Sequence, residues 1–341
     1  MLQESTGPLA AQHDLFMLDL DGVVYIEGAA VPGVPEEILR LREAGCHVAF
    51  VTNNAARPAA QVAERLTGLG VAATAEDVVT SAQAAASLLR TRFGPRARVL
   101  MLGGPGLEVA LRAADLEPVQ DVEDDEVVAL VTGYGPDVLW RHIMRSAVRI
   151  RDGLPWVASN TDATIPTSYG LAPGHGTLVR TLAEFAGVQP VVAGKPSRPL
   201  LDETVARVGG DRPIMVGDRL DTDIEGARVA GYPSLLVLTG VTGLSELVSA
   251  PESSRPTYIF PTLQGVFAPH PVPQHVSDGV ELGGWHGHVD EAGALVLAGA
   301  GSEADWWRVV AVAAWEHLDA TGAPAGIEQL APQARDGWTD R

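Results

Sequence analysis

Short apolar runs that end in polar or acidic residues recur along this chain, and stretches with helical spacing separate them. LFMLDL (15–20), HVAFVTNN (47–54), RVLMLGG (98–104), VVALVTGY (127–134), PWVASN (155–160) and PIMVGD (213–218) are the runs. VPGVPEEILRLREAG, SAQAAASLLRTRFG, GLEVALRAADL, DVLWRHIMRSAVRIRDG and LLDETVARVGG lie between them. The first of these helical segments carries Pro near its start and Gly after its end, which is how a helix is opened and closed. Strand–helix alternation of this kind predicts parallel sheets, with ligands held beyond the carboxyl ends of the strands.

At 341 residues the chain exceeds what one core usually holds. Three textures divide it. Residues 1–80 and 190–262 share one style and predict a discontinuous Rossmann-like core. Residues 81–189 alternate enough to form an inserted α/β cap domain. Residues 263–341 read as a linker, TLQGVFAPHPVPQ, and a small C-terminal α+β module. In that module GWHGHVD and ALVLAG suggest a hairpin, and DWWRVVAVAAWEHL has helical spacing with Trp306, Trp307 and Trp315 as its core.

Acidic residues number 43 against 24 basic, a net charge of −19, so nucleic-acid backbones and anionic membrane surfaces are disfavoured partners. A phosphorylated substrate would need local positive charge. No run of about 20 apolar residues suggests a membrane span, and the N-terminus lacks the basic start and apolar stretch of a signal peptide. The single cysteine, Cys46, fits a reducing cytoplasm and reads as a buried strand residue.

Four strand ends carry chemistry. Asp19-Leu20-Asp21-Gly22 places two carboxylates on one side of an extended chain. Such a pair calls for a cation or a shared proton, although D-x-D-G is also a common surface turn. Thr52-Asn53-Asn54 offers a hydroxyl and adjacent N–H groups suited to phosphoryl oxygens, and it reads equally as a turn or a helix cap. Lys195 could neutralise a phosphate, though a lone lysine is ordinarily solvated. Gly217-Asp218-Arg219-Leu220-Asp221-Thr222-Asp223 supplies three aspartates suited to a hard cation, and the other reading is a solvated acidic loop. In chain order these are the parts that phosphoryl transfer needs.

FMLDLDGVVYIEG, FVTNNAARPA, VAGKPS and VGDRLDTDI resemble the four motifs of the haloacid dehalogenase superfamily, and TNN is similar to that of its class IIA phosphatases. The resemblance spans about residues 14–250. It implies that Asp19 is the nucleophile and a magnesium ligand, and that Asp21 is the general acid/base with its main-chain carbonyl on the metal. It further implies phosphate binding by Thr52, Asn53, Asn54 and Lys195, Asp218 as the third protein ligand of Mg2+, and Asp223 orienting metal-bound water. Asp221 falls at a variable position. An aspartate at position 21 argues against a dehalogenase.

The cap segment VASNTDATIPTSYGLAPGHGTL resembles the loop that covers such sites, which makes Asn160, Asp162 and Ile165, with Thr161, the specificity candidates. His175 in GHGT stands where relatives often carry a smaller residue. A tail of this size resembles the partial acetyltransferase-like extension of some bacterial glycerol-3-phosphate phosphatases, with no transferase activity expected. The resemblance therefore favours hydrolysis of glycerol 3-phosphate. Phosphoglycolate, pyridoxal phosphate, a sugar phosphate or a nucleotide are the alternatives, and a phosphomutase or a non-catalytic regulatory module are those of another class. It also carries the expectation of a homodimer formed through the cap. LGGPGL reads as a tight connection rather than a dinucleotide loop, and His286 with His288 is too small a set for a zinc site.

Overall fold

The computed structural model describes residues 2–167 and 170–330. Ser168 and Tyr169 of the cap segment, and 331–341 of the tail, lie outside the described residues. Packing divides the chain into two units, Met1–His47 with Asp211–Arg341, and Val48–Gly210.

In the first unit, Leu15–Leu18, Pro213–Gly217, Ser234–Val237 and Tyr258–Phe260 are adjacent parallel strands. Leu15, Phe16, Met17 and Leu18 are all fully buried, which is why this strand reads as a continuous apolar run rather than an alternating one. Each such side chain contributes about 1.5–3 kcal/mol by leaving water. Cys46 is buried as expected; its Sγ lies 3.3 Å from Ala10 O, and burial pushes the thiol pKa up.

The tail forms its own antiparallel sheet, Gln274–Val276, Gly279–Leu282, Trp285–Val289 and Leu295–Gly299, followed by the helix Glu303–Thr321. Ser302 caps this helix by accepting from Asp305 N at 3.1 Å, and Gly322 closes it in a left-handed conformation. The expected hairpin and helix are both present. Trp306, Trp307 and Trp315 are buried, but the core they enter is shared: Ile224, Leu236, Leu238, Leu247 and Ile259 belong to the same cluster. The stretch read as a linker is packed as well, with Leu263, Val266 and His270 buried.

In the second unit, Phe50–Thr52 pairs in parallel with Val78–Thr80. A five-stranded parallel sheet runs in the order Val191–Val192, Trp156–Ala158, Ala129–Thr132, Arg98–Leu102, Glu117–Val119. The LGGPGL turn is the tight connection expected: Gly104 precedes Pro105, which opens the helix Pro105–Ala113. The helix Ser81–Phe93 starts from a reciprocal cap, with Thr80 N donating to Gln83 Oε1 at 2.8 Å and Gln83 N to Thr80 Oγ1 at 3.3 Å.

Candidate active site

Asp19, Asp21, Asp218 and Asp223 lie in the first unit; Thr52, Asn53, Asn54, Lys195, Asn160, Asp162 and Ile165 lie in the second. Asp19 directly follows the Leu15–Leu18 strand, and its N–H donates to Val216 O at 2.9 Å, one residue before the neighbouring strand ends. The register therefore puts Asp19 beside the segment that carries Asp218. One carboxylate oxygen from each of Asp19, Asp218 and Asp223 lies within 4.8 Å of the other two.

Asp218 and Asp223 are completely buried. A π-type turn over Leu220–Ile224, in which Ile224 N reaches Arg219 O at 3.2 Å, swings Asp223 back toward Asp218. Arg219 N donates to Asp223 Oδ2 at 3.1 Å, and Val241 N donates to Asp218 Oδ2 at 2.7 Å. Thr239 Oγ1 donates to Gly22 O at 2.5 Å, tying the 239–243 loop to the turn that follows Asp19.

Glycine makes this closeness feasible. Gly22 has a φ of +86°, and a Cβ there would lie 2.3 Å from Asp218 Oδ2. A Cβ at Gly240 would lie 2.0 Å from the same oxygen. Buried carboxylates this close repel strongly unless a cation sits among them, and an all-oxygen donor set fits a hard ion such as magnesium.

Asp21 stands outside that cluster. It is exposed, and the Tyr25 hydroxyl donates to its Oδ2 at 3.4 Å. Asp221 is turned to solvent and held by Arg219, at 3.1 and 2.8 Å. Burial acts to raise its pKa, but the Arg219 hydrogen bond and charge outweigh it and leave the pKa lowered.

In the second unit the Asn53 side chain is a clamp. Its Oδ1 accepts from Lys195 N at 2.8 Å, and its Nδ2 donates to Lys195 O at 3.0 Å and to Asp162 Oδ1 at 2.9 Å. Both amide hydrogens are thus used. The Asn53 carbonyl accepts from Ser81 Oγ at 2.6 Å and from Asn160 Nδ2 at 2.7 Å. Asn160, read from the sequence as a specificity residue, is buried and braces this strand end; its Oδ1 also accepts from Asp162 N at 3.1 Å. Thr52 and Lys195 are buried. Thr52 Oγ1 accepts from Asn54 N at 3.1 Å, and Asn54 Oδ1 from Ala56 N at 2.9 Å. Ile165 is half-buried in the hairpin strand Thr164–Thr167.

His175 is buried at the start of its helix with Nε2 3.2 Å from Thr132 Oγ1, which also accepts from Trp156 Nε1 at 3.0 Å. Burial lowers its pKa to about 4, so it is neutral near pH 7. Sequence reasoning missed Ser81 and the 239–243 loop. The only available signal for the loop was a Thr-Gly pair following the apolar run SLLVL, at the end of another parallel strand.

Comparison with known proteins identifies the family. Residues 16–117 match the haloacid dehalogenase-like hydrolase family, and 192–266 match a HAD-hydrolase-like family. The chain is 45% identical over 251 residues to the D-glycerol 3-phosphate phosphatase of Mycobacterium tuberculosis, covering 74% of this chain and 70% of that one. It is 34% identical over 257 residues to an acid sugar phosphatase of Staphylococcus saprophyticus, covering 74% and 96%. The crystal structure of the glycerol phosphate phosphatase of M. tuberculosis with magnesium matches with a TM-score of 0.82 at 41% identity, over 91% of this chain and 93% of that one.

The fold and the clustered carboxylates define a hydrolase of phosphate monoesters. The chain belongs to the haloacid dehalogenase-like hydrolases, and within that family it is a phosphatase.

Proposed function

We propose that this phosphatase is magnesium-dependent and hydrolyses glycerol 3-phosphate to glycerol and phosphate. One comparison carries the substrate. The calcium-bound structure of the M. tuberculosis glycerol phosphate phosphatase covers 95% of this chain, tail included, whereas the 4-nitrophenylphosphatase of Thermotoga maritima covers 76%. The tail thus lies within the part of this chain that the glycerol phosphate enzyme matches.

Asp19 attacks phosphorus in line and forms an aspartyl phosphate, while Asp21 gives its proton to the departing glycerol oxygen. Asp21 then takes a proton from the water that attacks this intermediate, releasing phosphate and restoring Asp19. Asp19, Asp218 and the Asp21 main-chain carbonyl would hold magnesium, with Asp223 beside them. Bound magnesium supplies the positive charge that the clustered carboxylates and the phosphoryl oxygens require. Thr52 and the main-chain N–H groups of Asn53 and Asn54 receive those oxygens, and Lys195 offsets their charge. Burial of Asp218 and Asp223 against three glycines is the observation that supports the metal assignment.

In this reading, residues 1–80 and 190–262 act as the catalytic core and 81–189 as the cap, where Asp162 and Ile165 select substrate and Asn160 holds their loop. Leu139, Trp140 and Met144 are exposed apolar side chains in the cap segment and would form its homodimer face. The lone cysteine is in keeping with a cytoplasmic enzyme, and no described helix is long and apolar enough to cross a membrane.

A panel of glycerol 3-phosphate, phosphoglycolate, pyridoxal phosphate, a sugar phosphate and a nucleotide, assayed with Mg2+, tests the substrate. Glycerol 3-phosphate should give the highest kcat/KM. A preference of about tenfold or more for any other ester would overturn it.

A further inference from the structure

The helix Glu303–Thr321 bonds directly to the element behind the 239–243 loop, and reaches the strand ahead of it through that strand's neighbour. Ahead of the loop, Ser234–Val237 pairs with Tyr258–Phe260, and Arg308 holds that edge strand: its Nε donates to Ile259 O at 3.2 Å, and its guanidinium lies 4.5 Å from the centre of the Phe260 ring. Behind the loop stands the short helix Leu244–Val248, and Trp315 Nε1 donates to Leu247 O at 2.7 Å. Leu238, Leu247 and Ile224 all enter the core cluster that contains Trp306, Trp307 and Trp315. Ile224 directly follows Asp223, and Val241 N holds Asp218 Oδ2.

We propose that the C-terminal helix is a positioning element of the metal site. Trp315 fixes the loop whose N–H orients Asp218, so the tail acts on cation affinity while touching neither substrate nor ion. The Trp315 bond is buried, and its acceptor is one of the last main-chain oxygens of a five-residue helix, an oxygen that Ala250 N also reaches at 3.2 Å. Partners one step removed from a metal, as Val241 N is here, typically change its affinity by about 10–100-fold when they are lost, and Trp315, acting through that partner's loop, draws on the lower end of this range. This inference rests on the assignment of Asp218 as a magnesium ligand.

Calorimetric titration of the full chain with MgCl2 tests it. Trp315→Phe, which keeps the aromatic packing and deletes the donor, should weaken Mg2+ binding about tenfold. Ser302→Ala removes the cap at the opposite end of the same helix, where Ser302 Oγ accepts from Asp305 N at 3.1 Å. It should lower the melting temperature and leave Mg2+ affinity unchanged. Equal losses in both variants would mean general loosening and overturn the proposal. If Asp218→Asn loses Mg2+ while Trp315→Phe binds as the wild type does, only the positioning role falls. If Asp218→Asn binds as the wild type does, the ligand assignment falls and takes the proposal with it. Coupling is reciprocal, so Mg2+ should also slow hydrogen exchange at the Trp315 indole of the wild-type protein. That measurement needs no variant to fold, and an unchanged exchange rate there would overturn the proposal.

Discussion

Asn53 and Lys195 stand 142 positions apart, and one carboxamide joins them through two hydrogen bonds, accepting from the lysine's N–H at 2.8 Å and donating to its carbonyl at 3.0 Å. The lysine's main chain is thereby fixed by a side chain rather than by a ladder, and the same Nδ2 also holds Asp162. Asn53→Ala leaves a buried N–H and a buried C=O without this partner, which costs about 1–3 kcal/mol for each group so stranded. The expected result is a lower urea midpoint and a fall in kcat/KM of about a hundredfold as Lys195 loses its placement. Urea melts and steady-state turnover of 4-nitrophenyl phosphate check both.

Asp19→Asn should fold and fail to turn over. The amide retains the shape of the acid but is no nucleophile, so no aspartyl phosphate forms. Circular dichroism should match the wild type while phosphate release drops to background; retention of activity would remove Asp19 from its role.

Gly22→Ala tests how tightly the acid cluster is built. The new Cβ would overlap Asp218 Oδ2 at 2.3 Å, in a backbone conformation that L residues disfavour. Stability should fall by about 1–3 kcal/mol, and Mg2+ affinity should fall with it because Asp218 must move. Alanine at Gly28, which has a similar φ and nothing within 4 Å of the added carbon, separates backbone strain from the clash.

His270 predicts a specific acid lability. It is fully buried, with Ile259 N donating to its Nε2 at 3.0 Å and its Nδ1 2.9 Å from Gln3 O, so the neutral ring satisfies both partners. Burial, and then the nearby Arg308 charge, lowers its pKa to about 3 from 6.5. Between these values the unfolded chain binds a proton that the folded chain refuses. The stabilisation is therefore complete above about pH 6.5 and is lost progressively as pH falls toward 3. His175, lowered to about 4, adds in the same direction. Urea melts at pH 7.5 and pH 5, where most carboxylates stay ionised, should show the drop. His270→Gln should reduce its slope.

Removing residues 274–330 should prevent the first unit from folding rather than yield a trimmed enzyme. Leu236, Leu247 and Ile259 would lose their cover of Trp306, Val310 and Trp315. Soluble, fully active protein from such a truncation would refute this.

Much of the site could be read in advance because each acidic motif directly follows an apolar run, and parallel strands buried on both faces leave that run unbroken. Asp19, Asp218 and Asp223 were legible for this reason. The Asn53 clamp was not, since its partners lie 109 and 142 positions away and a hydrogen bond leaves no periodic trace. Arg308 shows another limit. A charged residue in an amphipathic helix reads as solvated, yet here it is 2% exposed because a carbonyl, a carboxylate and an aromatic face receive it. The spacing of the tail tryptophans showed that a face is buried, and could not show which strands it would cover.

The two units differ in how their sequence is gathered. Residues 48–210 are contiguous and can complete a hydrophobic core while the ribosome is still translating the rest. Leu15–Leu18 must wait for Pro213–Gly217, and the core beside it waits for Trp315. Asp19 is thus among the first residues made and among the last to be seated, so a nascent chain cannot acquire the proposed chemistry before the helix Glu303–Thr321 has emerged.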